Sequence, residues 1–173
     1  PQTIGTRTGE RTLARLNPRK LESMKMPVVY DTRVSASLLG HLSAAISGSS
    51  IARGTSFLRD AMGTQIMRAG LNVIDEPHRL RGLRSAAFDG EGLSPETINL
   101  VQDGVLQSWL LDSTTARQLE LESNARAARG VGGPPSPSAT NLYLDAGTQD
   151  VAGILGDVGE GFFVTELIGM GVN

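Results

Sequence analysis

The spacing of apolar and polar positions divides the chain into short helices and strands separated by turn residues. Thr8–Asn17 reads as the end of an amphipathic helix, with Leu13 and Leu16 three apart. Asn17-Pro18 stops it, because the residue before a proline is pushed out of helical geometry. PVVYD (residues 27–31) reads as a short buried strand. From Val34 to Ile46 the period is helical: Leu38, Leu42, Ala45 and Ile46 share one stripe, His41 lies beside it, and Gly48 ends the run. A second helix is predicted over Ser56–Met67, on Phe57, Ala61, Ile66 and Met67. LNVID (71–75) reads as a strand closed by Glu76-Pro77, and a loop then runs to FDGEG (88–92).

The clearest local signal is INLVQ, then Asp103-Gly104, then VLQSWLL. An Asp-Gly between two β-prone runs predicts a type I′ hairpin, whose two turn residues both need positive φ. A two-residue turn pairs Gln102 with Val105 and Ile98 with Trp109, on one face with Leu100 and Leu111. Asp112-Ser113 can cap a short helix through Leu121. Residues 127–140, rich in Gly, Pro and Ser, read as an exposed loop. Asn141–Asp145 reads as a strand, Asp150–Val158 as a helix left through Gly159 and Gly161, and Phe162–Ile168 as a last strand. Helices and strands mix without βαβ alternation, which predicts an α+β fold, a mixed and largely antiparallel sheet with flanking helices.

Composition narrows the classes. The 173 residues suffice for one domain, and aromatics at 4% leave the core to Leu, Ile, Val and Ala. The net charge of -2 gives the chain as a whole no electrostatic footprint for nucleic acid. Basic residues near the start (Arg7, Arg11, Arg15, Arg19, Lys20, Lys25) alternate with Glu10 and Glu22 and read as a solvated helix face. The absence of cysteine excludes disulfides, thiolate metal sites and a cysteine nucleophile within these residues. No apolar run of about 18 residues predicts a membrane span, and no secretory signal opens the chain. A first residue other than Met and the ending GMGVN suggest a segment of a longer protein.

Candidate chemistry is sparse. A zinc hydrolase needs about three protein ligands and an open position for water. After His41 come Leu42, Ser43, Ala44, Ala45 and Ile46, none of them a ligand. A packed or otherwise satisfied histidine is therefore the expected role. His78, in EPHR, cannot be paired with His41 from sequence. No Gly-x-Ser-x-Gly occurs. The glycines of GVGG (130–133) precede two prolines, which have no N–H to offer an anion. Asp89 and Glu91 flank Gly90 as a carboxylate pair or a tight turn, and the turn is the favoured reading.

ARLNPRKLESMKMPVVYDTRV, LLGHLSAAISGSSIARGTSFLRDAMGTQI, RGLRSAAFDGEG, DGVLQSWLLDSTTARQL, PPSPSATNLYL and VTELIGMGVN follow one another along the chain. In this order they resemble the TldE/PmbA branch of the TldD/PmbA family. The resemblance implies an internal segment: residues 1–26 as the end of a middle region and linker, 27–173 as the first part of a C-terminal domain. In the TldD branch a helix carries His-Glu-x-x-x-His, two zinc ligands and a general base. Laid on that motif, His41 is the remnant position of the first histidine, Leu42 stands for the glutamate and Ile46 for the second histidine. Leucine accepts no proton and isoleucine binds no zinc. The resemblance thus implies no catalytic, metal or cofactor-binding residue in this chain, with zinc in a TldD-like partner subunit. It further implies a cytoplasmic heterodimeric metalloprotease acting on peptides and unfolded polypeptides, without direct nucleic-acid or membrane contact. Homodimerisation stays open. The rivals are a regulatory protein of the DNA gyrase modulator type and a self-sufficient hydrolase.

Overall fold

The structure, a computed structural model, describes residues 2–167. In chain order its elements are α1 (Gln2–Leu13), β1 (Val28–Tyr30), α2 (Thr32–Ala45), α3 (Gly48–Ala52), β2 (Val73–Asp75), β3 (Ile98–Gln102), β4 (Val105–Leu106), α4 (Ser113–Gln118), β5 (Ala127–Ala128), β6 (Ser136–Pro137), β7 (Leu142–Leu144), α5 (Val151–Val158) and β8 (Phe162–Val164). The main sheet is four-stranded and antiparallel throughout, in the order β4-β3-β2-β7. β1 pairs in parallel with β8, and β5 with β6 antiparallel. The α+β class with a largely antiparallel sheet is therefore as the pattern predicts.

The core lies where α2 crosses this sheet. Leu42 and Ile46 of α2 pack with Leu58, Val73, Leu100, Val101, Leu106, Leu110 and Ala139. The β3–β4 turn has the predicted form: Asp103 and Gly104 have φ of 50° and 79°, and Gln102 pairs with Val105. Ile98 does not meet Trp109. It pairs with Asp75, since β4 stops at Leu106 and β3 finds its second neighbour in β2.

Three further expectations are corrected. Ser56–Met67 is a chain of turns and not a helix. Three of its N–H groups go to the hairpin: Gly63 N donates to Leu106 O (2.8 Å), Ile66 N and Met67 N to Gly104 O (2.9 and 3.0 Å), while Arg59, Ala61 and Thr64 close turns within the stretch. Residues 127–140 are not simply an exposed loop. β5 and β6 form a small arm, and Ala127 and Ala139 at its base are buried. β1 is only partly covered, with Val28 46% exposed, because β8 is its single sheet neighbour among the described residues. α2 ends at Ala45, as its pattern predicts, and Gly48 then opens the short α3. The last predicted strand is β8, and its final position, residue 168, lies outside the described residues.

Gly48 has a packing reason. Its N–H donates to Leu110 O (2.8 Å), and a Cβ there would sit 2.5 Å from Thr115 Oγ1 and 2.9 Å from Leu110 O. Thr115 is itself locked in the capping box of α4, where Asp112 Oδ1 accepts from Thr115 N. Gly48→Ala is expected to cost about 1–3 kcal/mol through overpacking, read as a lower urea midpoint with an unchanged slope.

Candidate functional site

The site to examine is α2, which carries His41. Its start is set by Asp31, whose Oδ1 accepts the Arg33 N–H at 3.0 Å. That hydrogen bond holds the Asp31 carboxyl below its ordinary value of 3.8, opposed by desolvation and aided by the charges of Arg11 and Arg33. A depressed folded-state value gives stability that is present above the ordinary value and is lost as pH falls through the folded one. Asp31→Ala should therefore lower the urea midpoint at neutral pH, and the difference from the unaltered chain should shrink in strong acid.

At its other end α2 is tethered to the stretch after β4: Leu110 N donates to Ile46 O at 2.9 Å, and Gly48 N donates to Leu110 O at 2.8 Å. These bonds fix the rotation of the helix. In this setting His41 is exposed while Ile46 is fully buried, at 0%. Leu42, one residue on, is also buried. The two positions that would carry the base and second ligand of a zinc motif are thus both buried, Leu42 in the wall of the cleft that His41 also lines and Ile46 wholly within the core.

His41 lines a cleft of about 670 Å³ together with Ala44, Ala45, Phe57, Ile66 and Met67. Its wall is largely apolar, and Phe57 at its edge is 86% exposed. Ser56 closes one side: its Oγ donates to Ala45 O (2.6 Å) and accepts from Leu58 N (3.0 Å). No side-chain hydrogen bond or ion pair to the His41 imidazole forms among the described residues, and the ring is exposed. No group of three or more His, Asp or Glu side chains among the described residues is placed to hold a metal ion. The arrangement can bind an apolar group beside an imidazole. It holds no second acid or base for proton transfer.

The other candidates are structural. His78 is exposed on another loop and does not line the His41 cleft. Asp89 takes N–H groups from Glu91 and Leu93, both at 2.9 Å, and from Ala127 at 3.1 Å, which is the turn role. Glu91 Oε2 accepts from Ser113 N at 2.9 Å. Gly130, Gly132 and Gly133 lie exposed in the β5–β6 arm. Sequence reading passed over the buried pair of Arg126 Nε and Asp75 Oδ2, 2.5 Å apart with both side chains at 0% exposure. Nothing local marks either residue, because they stand 51 positions apart.

Comparison with known proteins agrees with this fold. The PmbA/TldA metallopeptidase C-terminal domain matches residues 23–173. Metalloprotease PmbA of Escherichia coli O157:H7 is 40% identical over all 173 residues, which cover 36% of its length. A modulator of DNA gyrase from Thermotoga maritima superposes with a TM-score of 0.84 at 26% identity, over 98% of this chain and 39% of that one. TldE from Thermococcus kodakarensis, at 20% identity, shares the fold with a TM-score of 0.82 over 97% of this chain and 38% of its own. The chain spans little more than a third of these relatives. No helix among the described residues is long and apolar enough to cross a membrane. In sequence and in fold alike, the chain belongs to the PmbA/TldD family.

Proposed function

We propose that this chain is part of a TldE/PmbA-type subunit of a two-chain zinc metalloprotease, which acts on peptides and unfolded polypeptides. In this reading the zinc belongs to a TldD-like partner, and this subunit completes the enclosure around the substrate. The observation that supports it is the burial of Leu42 and Ile46, which gives the base and second-ligand positions to packing. The apolar cleft beside His41 suits an unfolded chain, whose exposed side chains are largely apolar.

The test uses the full-length protein alone, its TldD-like partner alone, and the two mixed, with and without chelator. Peptide cleavage is expected only in the mixture and only without chelator. Cleavage by this protein alone, with stoichiometric zinc lost on His41→Ala, would overturn the reading. A non-proteolytic role toward DNA gyrase is the second reading, motivated by the description of the Thermotoga relative. Co-purification with gyrase, and not with a TldD-like chain, would favour it.

A further inference from the structure

We draw no further inference here: the strongest candidate, the outer edge of the main sheet at β7 with the apolar hollow of about 860 Å³ that Leu142 and Leu144 line together with Leu38 and Leu39 of α2, carries nothing, because nothing in the structure shows what covers it.

Discussion

Arg126→Ala is expected to lower stability by about 3–5 kcal/mol, the usual cost of breaking a buried ion pair from one side. The pair sits at a junction of three segments. Asp75 ends β2, and its carboxylate accepts from Arg126 Nε, from Thr140 N at 2.7 Å and from Thr140 Oγ1 at 3.0 Å. Arg126 also donates to Asn124 O at 2.7 Å and to Glu96 O. The guanidinium thus ties the segment leading into β3, the segment leading into β5 and the end of β2 into one unit. Alanine would leave a buried carboxylate with only Thr140 as partner and two carbonyls with no donor. Burial also shields the pair from ions, so the loss should persist in high salt, unlike that of a surface pair. Replacing both partners at once, as Asp75→Leu/Arg126→Met, removes the charge with its partner and should cost less than the single change. Urea unfolding of the three variants measures this. An Arg126→Ala midpoint close to that of the unaltered chain would show that the pair contributes nothing.

The second large effect is expected from restoring the zinc motif. Leu42→Glu with Ile46→His should destabilise the fold by about 3–5 kcal/mol and bind no stoichiometric zinc. Ile46 is at the centre of the core and fully buried. Its replacement forfeits packing worth about 2 kcal/mol or more and leaves imidazole nitrogens among Leu100, Leu106 and Leu110. The introduced glutamate would meet the same apolar surroundings. Position 46 is fully buried while His41 is exposed, so the introduced imidazole could join His41 on one ion only by leaving the core. Metal analysis after dialysis, beside a urea titration, tests both halves. A folded variant carrying one zinc per chain would show that the helix can turn its motif face outward, and that only the side chains were missing.

Much of the fold was legible because its signals are local. The hairpin turn at Asp103-Gly104 required positive φ at two successive residues and has it. Asp112 and Asp150 each accept from a backbone N–H of the first helical turn, as short acidic caps should. The failures share a cause. Ser56–Met67 has helical spacing, yet three of its backbone donors are recruited by the hairpin beside it, and a tertiary partner overrides a weak local preference. The Gly- and Pro-rich stretch at 127–140 looked solvated, yet its ends are drawn inward, where Ser138 N donates to Arg126 O at 2.8 Å.

What the sequence determined by itself is the class, the Asp103-Gly104 turn with its Gln102–Val105 pairing, the acidic caps at Asp112 and Asp150, and the lack of a ligand residue type directly after His41. Each of these follows from residue types within a few positions of one another. Tertiary structure alone decided which way α2 is rotated, and hence that His41 meets solvent while Leu42 and Ile46 enter the core. It alone joined Asp75 to Arg126. Those outcomes depend on contacts between residues tens of positions apart, and periodicity within a single element carries no record of them.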